Sequence, residues 1–445
     1  MRRGLGLVKD VFSPKNIKPL IGNIGIAHTR YGTSGGYSES EVQPLILKRP
    51  FPIALVHNGN LINYIDILNE LKQEKRNILR NTLDSAVLLQ YFAMALQKIN
   101  KKMNEKVFFE SVVQAIKTLY EKLEGAYSVI AVMHGYGLVA FRDPHGIRPL
   151  VWGERKARYH HDYIFSSENT AFYSLGFQLK GDLKPGEVVF VSKKGKMYRQ
   201  CITQNTFTPC AFEYVYFARP DATLDKVSVY RARLRMGQNL AKAWIKKFPK
   251  ARPDVVIPAP FTANTAALSF AHELGVRYSE GLYKNPFIGR TFIMPNQEIR
   301  ERNVKHKLTP QLTEIKNKKV LIVDDSIVRG TTSREIVRMV RDAGAAEINF
   351  VSTCPPLRSP CFYGIDIPSR KELIAANRSI EGIKKYLGVD RLLYQTEDDL
   401  VEAITRKNPA FRKPCLACMN GCYVSGHLTK ETMSRLEKTR KRNDD

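Results

Sequence analysis

An apolar strand that ends in two carboxylates constrains this chain more than any other feature. Residues 320–323 are consecutive apolar, mostly β-branched positions, and Asp324 and Asp325 follow them directly. A short loop rich in glycine and threonine then leads into a helical pattern at residues 333–343. Loop amides and hydroxyls at a helix N-terminus bind phosphate, while acids at a strand end can accept hydrogen bonds from sugar hydroxyls. The pattern therefore predicts a site for a ribose 5-phosphate.

Acids at a strand end alone would also fit an unrelated α/β protein, such as a response regulator or a dinucleotide-binding fold. The second half of the chain alternates strand and helix patterns, which predicts a parallel sheet with ligands at the carboxyl ends of its strands. The predicted helices are residues 229–248, 265–274 and 333–343, and the predicted strands are residues 254–258, 320–323 and 348–353.

The first 200 residues have a different pattern, with many short β-type runs and a few long helices, which suggests an α+β sandwich. The runs are residues 24–28, 53–57, 127–132, 137–141 and 186–191. The helical patterns are residues 63–72, 83–101 and 107–123. We therefore predict two domains, residues 1–205 and residues 206–445.

The composition, with 43% hydrophobic and 25% charged residues, is that of an ordinary globular protein without an apolar run long enough to span a bilayer. The net charge of +27 favours anionic partners, including nucleic acid, membranes and phosphorylated metabolites, although a solvated basic surface explains it equally. The first residues contain no signal peptide, so we expect a cytoplasmic protein.

The seven cysteines are an odd number in a long chain, which argues against a disulfide framework and for a reducing compartment. Five lie in the last hundred residues, so a metal or cluster has to be considered. Buried cysteines that bind no metal are common and remain the alternative. The cysteines are Cys201, Cys210, Cys354, Cys361, Cys415, Cys418 and Cys422.

The string Val-Asp-Asp-Ser-Ile-Val-Arg-Gly-Thr-Thr at residues 323–332 resembles the motif with which type I phosphoribosyltransferases bind 5-phosphoribosyl-1-pyrophosphate (PRPP). Residues 256–265 resemble the pyrophosphate-binding loop of these enzymes, although Phe261 and Ala263 replace its usual acid and serine. Residues 284–307 resemble the flexible loop that closes over PRPP. The resemblance implies PRPP contacts from Asp324, Asp325, Ser326, Arg329, Gly330, Thr331, Thr332, Lys284 and Arg290, with Mg²⁺ at Asp324 and Asp325.

Two strings in the first half, His-Thr-Arg-Tyr-Gly-Thr at residues 28–33 and Val-His-Asn-Gly-Asn at residues 56–60, resemble paired motifs of glutamine amidotransferases with an N-terminal nucleophile. The resemblance implies that Asn58 and Gly59 form the oxyanion hole. It also implies that Arg30 binds the glutamine carboxylate and that Asp84 binds the glutamine amino group.

Taken together, residues 4–426 resemble the glutamine PRPP amidotransferase family. The implied reaction uses ammonia from glutamine to displace pyrophosphate from C1 of PRPP, giving 5-phosphoribosylamine, which is the first step of purine (IMP) synthesis. The family's N-terminal cysteine nucleophile has no counterpart here, because residue 1 is Met and the first cysteine is Cys201. Either the sequence is truncated at its N-terminus, a separate peptide supplies the missing segment, or the protein has lost its glutaminase activity. As written, we expect the chain to fail to hydrolyse glutamine.

Three further expectations follow from the resemblance. Cys210, Cys361, Cys415 and Cys418 match the four ligands of a [4Fe–4S] cluster in one branch of the family, whereas other branches lack it. Purine nucleotides are expected as inhibitors and a homotetramer as the assembly, with no membrane or nucleic-acid partner. Two alternatives remain: a phosphoribosyltransferase that uses only free ammonia, and a non-catalytic regulator that binds PRPP or nucleotides.

Overall fold

The structure is a computed structural model. It describes residues 1–30, 41–49, 51–73, 83–96, 103–203, 206–285, 308–406, 408, 413–425 and 428–441. The chain forms two compact units. The first comprises Met1–Pro209, Phe362–Asp366 and Tyr423–Asp445, and the second comprises Cys210–Cys361 and Ile367–Cys422.

Two segments that the sequence prediction assigned to residues 206–445 thus pack within the first unit. The Tyr363 hydroxyl donates a hydrogen bond to the Ser425 carbonyl (2.9 Å) and accepts one from the Ser425 N–H (2.8 Å). Ser425 in turn accepts a hydrogen bond through its Oγ from the Gly125 N–H (3.1 Å). These bonds join both late segments to a strand of the first unit.

The helices of the first unit are α1 (Val8–Val11), α2 (Pro14–Ile17), α3 (Tyr64–Gln73), α4 (Asp84–Ala95) and α5 (Glu105–Lys122), with a helix at Lys430–Lys441 near the C-terminus. Its strands are β1 (Leu45–Leu47), β2 (Ile53–Leu61), β3 (Gly125–Met133), β4 (Gly137–Arg142), β5 (Val151–Lys156), β6 (His161–Ser166), β7 (Gln178–Asp182), β8 (Glu187–Ser192) and β9 (Met197–Cys201).

In the described part of the chain, this unit has three layers. A six-stranded antiparallel sheet in the order β1-β2-β3-β4-β8-β9 carries α3, α4 and α5 on one face. Along β3, Val129 and Ala131 pack under the helices, whereas the intervening Ile130 faces the sheet of order β6-β5-β7. Successive residues of a strand point to opposite faces, so this alternation shows that β3 is buried on both faces.

One predicted strand is wrong, because residues 24–28 form no regular strand. A strand needs a neighbour for its backbone hydrogen bonds, and β1 occupies the edge of the sheet beside β2. The predicted helix 83–101 ends at Ala95 in the structure, and residues 97–101 lie outside the described part of the chain.

The helices of the second unit, in chain order, are α6 (Val229–Lys247), α7 (Asn264–Leu274), α8 (Leu312–Ile315), α9 (Thr331–Asp342), α10 (Ile374–Asn377), α11 (Ile380–Leu387), α12 (Glu397–Thr405) and α13 (Ala417–Asn420), preceded by a π-helical turn at Glu213–Phe217. Its strands are β10 (Thr223–Leu224), β11 (Val227–Ser228), β12 (Val255–Pro258), β13 (Arg277–Tyr278), β14 (Leu282–Lys284), β15 (Leu308–Pro310), β16 (Lys319–Asp324), β17 (Glu347–Ser352) and β18 (Arg391–Tyr394).

The sheet of the second unit is parallel and has the order β13-β12-β16-β17-β18. On β16, Val320 and Ile322 face the core that contains α9 and α11, while Leu321 and Val323 face the core that contains α6 and α7. The strand order reverses between β12 and β16. Parallel α/β sheets bind ligands at the carboxyl ends of strands beside such a reversal, so the sheet directs attention to the residues after β12 and β16.

No helix in the described residues is both long and apolar enough to cross a bilayer.

Candidate functional site

The carboxylate pair lies at the carboxyl end of β16, as predicted. The Asp324 side chain is 9% exposed and accepts a hydrogen bond from the Asp325 N–H (2.9 Å) and one from the Ser333 hydroxyl (3.4 Å). The Asp325 carboxylate accepts a hydrogen bond from the Ser326 hydroxyl (2.7 Å). The segment after β17 fixes the backbone of the pair, because the Thr353 N–H donates to the Asp324 carbonyl (3.0 Å).

Burial shapes the charge of this pair. It raises the pKa of Asp325 to about 6, and burial together with the neighbouring Asp325 carboxylate raises the pKa of Asp324 well above its usual range. Two adjacent carboxylates in a partly dehydrated site are costly unless a cation neutralises them. Carboxylate oxygens are also the ligands that Mg²⁺ prefers. These residues therefore fit the predicted divalent cation.

The N-terminus of α9, where the sequence predicts phosphate donors, follows the pair. Thr331 and Thr332, its first two residues, are exposed, and the first turn contains no acidic residue that would compete with an anion. Gly330 precedes them with φ = 78°, and a Cβ at this position would lie 2.6 Å from the Ile374 side chain. The turn therefore requires glycine, and the helix presents free N–H groups next to the carboxylates.

Other predicted PRPP contacts are positioned differently. The Arg329 guanidinium forms an exposed ion pair with Glu372 (2.7 Å), so it is committed to a neighbour in this structure. The Lys284 ammonium lies 4.9 Å from the ring centroid of Phe261, which brings the start of the predicted closing loop to the pyrophosphate-type loop after β12. Arg290 and residues 286–307 lie outside the described part of the chain.

The predicted oxyanion residues lie on β2 in the first unit. Gly59 has φ = 145°, and a Cβ there would come within 2.0 Å of the Ala126 carbonyl oxygen, so the position requires glycine. The Asn58 side chain is held at both ends: its Nδ2 donates to the Ser167 hydroxyl (3.2 Å) and its Oδ1 accepts from Arg148 Nη2 (3.2 Å). Since a guanidinium has donors only, this contact fixes which end of the amide is the acceptor.

Arg148 is a functional candidate that the sequence analysis did not single out. It is fully buried, its N–H donates to the Asp143 carboxylate (3.3 Å), and its carbonyl accepts from Arg142 Nε (2.7 Å). The signal was present in the sequence as two arginines that flank an aspartate and a proline within a short β-type region. Only the fold shows that the second arginine reaches Asn58.

The predicted glutamine-binding residues are also structured. Asp84 begins α4, and its carboxylate accepts hydrogen bonds from the Leu61 N–H (3.1 Å) and the Ser85 N–H (2.7 Å). Arg30 Nη1 pairs with the Glu41 carboxylate (2.8 Å). Burial, and then the adjacent His57, lowers the pKa of His28 to about 4, so this imidazole is neutral at pH 7. The region beside His57 of β2 thus combines a neutral histidine with a partly buried ion pair.

All four predicted cluster ligands belong to the second unit and are at least 93% buried. Cys210 and Cys415 are paired through a backbone bridge, and the Ala211 N–H donates to the Cys415 carbonyl (3.2 Å). Burial raises the pKa of Cys418 well above its usual range, and the neighbouring thiols of Cys354, Cys361, Cys210 and Cys415 raise it further. The donor chemistry therefore fits an iron–sulfur cluster. Within the described residues, however, no three such side chains converge on one metal position.

Comparison with known proteins identifies the family. Residues 28–174 match a family model described as a glutamine amidotransferase domain. The amidophosphoribosyltransferase of Pseudomonas aeruginosa is 43% identical over 441 residues, which cover 99% of this chain and 87% of the relative. The chain belongs to the amidophosphoribosyltransferase family. The Escherichia coli member is 42% identical over 447 residues, which cover 100% of this chain and 88% of that member.

Two solved structures extend the likeness to the fold. Glutamine PRPP amidotransferase from B. subtilis, in complex with ADP and GMP, matches with a TM-score of 0.76 at 33% identity, covering 91% of this chain and 83% of that chain. A structure described as the allosteric regulatory enzyme of purine biosynthesis matches with a TM-score of 0.78 at 33% identity, covering 92% and 84%. The predicted fold class is confirmed: an α+β amidohydrolase sandwich followed by an α/β phosphoribosyltransferase unit with a parallel sheet.

Proposed function

We propose that this amidophosphoribosyltransferase replaces the pyrophosphate at C1 of PRPP with ammonia, giving 5-phosphoribosylamine for purine synthesis. One observation carries the proposal at the level of residues. A carboxylate pair, the buried Asp324 and the half-buried Asp325, stands at the end of β16, and the exposed Thr331 and Thr332 begin α9 a few residues later. Acids suited to ribose hydroxyls thus stand beside amides and hydroxyls suited to a 5-phosphate.

The roles of these groups follow from their chemistry. Asp324 and Asp325 accept hydrogen bonds from the ribose hydroxyls and orient C1 of the sugar. Thr331, Thr332 and the free N–H groups of α9 hold the 5-phosphate. Mg²⁺ at the two carboxylates would neutralise charge on the pyrophosphate as it leaves.

In the bond-changing step, the lone pair of ammonia attacks C1 and the bond from C1 to the pyrophosphate oxygen breaks. The nitrogen then loses a proton to solvent, so the products are 5-phosphoribosylamine and pyrophosphate. Lys284 is placed to attract the departing anion, since its ammonium group stands at the loop after β12. The main contribution of the protein is positioning, because a correctly oriented pair of reactants gains a large entropic advantage.

For the glutamine half, we propose that Asn58 Nδ2 and the Gly59 N–H stabilise the oxyanion that forms when the glutamine amide is attacked. Asp84 would receive the substrate amino group, and Arg30 its carboxylate. Arg30 is paired with Glu41 in this structure, so the substrate carboxylate would have to displace Glu41. Residue 1 is Met rather than the family's cysteine, so we expect this chain alone to release no ammonia from glutamine.

The decisive assay measures pyrophosphate release from PRPP and Mg²⁺ with ammonium or glutamine as the nitrogen donor. We expect ammonium-dependent release, with Thr332→Val raising the KM for PRPP and Thr309→Val, a matched change on β15, leaving it unaltered. Ammonium-dependent release without glutamine-dependent release is the outcome expected of a chain without the N-terminal cysteine, and the ammonia-only enzyme shares it. Absence of release with either donor, despite PRPP binding, would support the regulator and overturn the proposal.

We further propose a [4Fe–4S] cluster at Cys210, Cys361, Cys415 and Cys418, supported by four buried thiols in one unit. Anaerobic reconstitution followed by iron and sulfide analysis tests it: four of each per chain are expected, and fewer than one would refute it. Inhibition by purine nucleotides is supported by the B. subtilis relative, which was solved with ADP and GMP. The homotetramer stays a prediction that native mass spectrometry tests.

A further inference from the structure

A groove in the second unit runs along the open edge of its parallel sheet. Its volume is about 830 Å³. Five consecutive residues, 392–396, line it. Successive side chains of a strand point to opposite faces of the sheet. A cavity that contacts consecutive strand residues therefore lies beside the edge of the strand rather than over one face. The last position in the order β13-β12-β16-β17-β18 belongs to β18, so this side is unpaired within the described sheet.

The opposite wall of the groove is a basic stripe on α6. Lys242, Lys246 and Lys247 line the groove together with Asn239 and Ala243, at the spacing of one helix face. A fourth cation, Arg358, comes from the segment after β17. The stripe and the arginine give the groove a strong positive potential.

The protein neutralises these charges only in part, with Lys247 near the exposed Glu381 carboxylate. Within the described residues, the Lys246 and Arg358 side chains form no ion pair or hydrogen bond. Lys242 reaches Glu273 only at 3.9 Å. Asp399, the one carboxylate among the described lining residues, accepts a hydrogen bond from the Thr396 hydroxyl (2.7 Å) and is occupied there.

A second observation is independent of charge. Gln395 lines the groove and is 2% exposed, yet neither its Nε2 nor its Oε1 has a hydrogen-bond partner in the described part of the chain. A buried polar group without a partner costs free energy, so the Gln395 amide suggests polar atoms that a ligand satisfies.

The remaining lining is apolar and comes from both sides of the sheet edge. It consists of Pro356, Ile380, Leu392 and Leu393. A cavity of this size with an apolar floor and a few convergent polar groups is typical of sites for small organic ligands. The cations add a requirement for negative charge on that ligand.

We propose that this groove binds a small organic phosphate, whose apolar body packs on β18 and whose phosphate is held by Lys246 and Arg358. None of the described lining residues belongs to the carboxylate pair of β16 or to the N-terminus of α9, and the proposal does not depend on the reaction assigned to them. Inorganic phosphate shares the charge of such a ligand but lacks its apolar body. Comparing the affinities of the two therefore distinguishes a site for an organic phosphate from a site for free phosphate.

The test is isothermal titration calorimetry on the full chain, with Mg²⁺ and saturating PRPP present and ammonium absent, so that the α9 phosphate site is filled. Phenyl phosphate is the probe, and inorganic phosphate and phenol carry its two halves separately. We expect saturable binding of phenyl phosphate at one site per chain, with inorganic phosphate weaker by about tenfold and no binding of phenol.

The variant Lys246→Gln with Arg358→Gln should weaken phenyl phosphate by about tenfold or more, because both charge-assisted contacts are lost. The matched control is Lys250→Gln with Arg252→Gln, which removes the same charge from exposed positions just beyond α6. The control should bind as the wild type does. Ammonium-dependent pyrophosphate release by all three proteins, measured separately, shows whether the reaction site is intact.

Three results would overturn the proposal. The first is the absence of saturable phenyl phosphate binding. The second is an equal loss of phenyl phosphate affinity in the Lys246/Arg358 variant and in the Lys250/Arg252 control. The third is an equal affinity of the wild type for phenyl phosphate and inorganic phosphate. The last would reduce the groove to a general anion contact.

Discussion

The raised pKa of Asp325 predicts that neutralising this residue stabilises the metal-free protein. The rise from 3.8 to about 6 corresponds to about 3 kcal/mol of unfavourable free energy when the carboxylate is ionised in the folded state. Between these pH values the folded state binds more protons than the unfolded state. The free energy of unfolding therefore falls as the pH rises through this window, and the full penalty is present above it.

We therefore expect Asp325→Asn in EDTA to exceed the wild type in stability by about 3 kcal/mol at pH 7.5 and to match it near pH 4. Saturating Mg²⁺ should stabilise the wild type far more than the variant, because only the wild type keeps both carboxylate ligands. The control is Asp342→Asn at the end of α9, where the carboxylate is 70% exposed. It should leave the free energy of unfolding unaltered both in EDTA and in Mg²⁺.

Urea unfolding at several pH values measures these differences for the second unit alone. The chain contains two tryptophans, and Trp244 lies in the core between α6 and the parallel sheet. In a Trp152→Phe background its fluorescence reports that unit. The reasoning fails if Asp325→Asn is less stable than the wild type at pH 7.5 in EDTA, or if the difference does not vary with pH.

Other perturbations follow from single contacts. Gly59→Ala should destabilise the first unit by about 3 kcal/mol or more, because its Cβ would collide with the backbone of β3. The loss should appear as an earlier urea transition of Trp152 fluorescence. The control, Gly135→Ala, has φ = 82° and open space around it and should cost only about 1–2 kcal/mol. Gly330→Ala should raise the KM for PRPP more than it lowers kcat in the ammonium-dependent assay, since it distorts the turn before α9; an unaltered KM would contradict this. Arg435→Ala should change stability by less than about 1 kcal/mol in thermal unfolding, because its ion pair with Asp66 is solvent-exposed, and a larger loss would refute that estimate.

The phosphoribosyl half could be predicted closely because its signals are local. A strand core, two acids, a glycine and a helix follow one another within residues 319–342, so neighbouring positions in sequence are neighbours in space. The positive φ of Gly330 is local too, since it belongs to the turn before α9. In this segment the hydrophobic pattern and the turn residues favour the same strand, turn and helix that the fold contains.

What the sequence could not show depends on contacts between distant residues. Arg148 and Asn58 are 90 positions apart, and only the antiparallel sheet and its flanking layer bring them together. The groove beside β18 combines α6, the segment after β17 and β18 itself, so no window of sequence contains it. Residues 24–28 show the reverse problem: their β-type pattern is present, but the position beside β2 belongs to β1.

The central claim is that the residues after β16 bind PRPP for attack by ammonia. Time-resolved ³¹P NMR of the chain with PRPP and Mg²⁺, with and without ammonium, tests it most directly. The account predicts that ammonium converts PRPP into pyrophosphate and a phosphomonoester in equal amounts, and that Asp324→Asn with Asp325→Asn abolishes the conversion. PRPP that persists with ammonium, or that breaks down equally in its absence, would contradict the account.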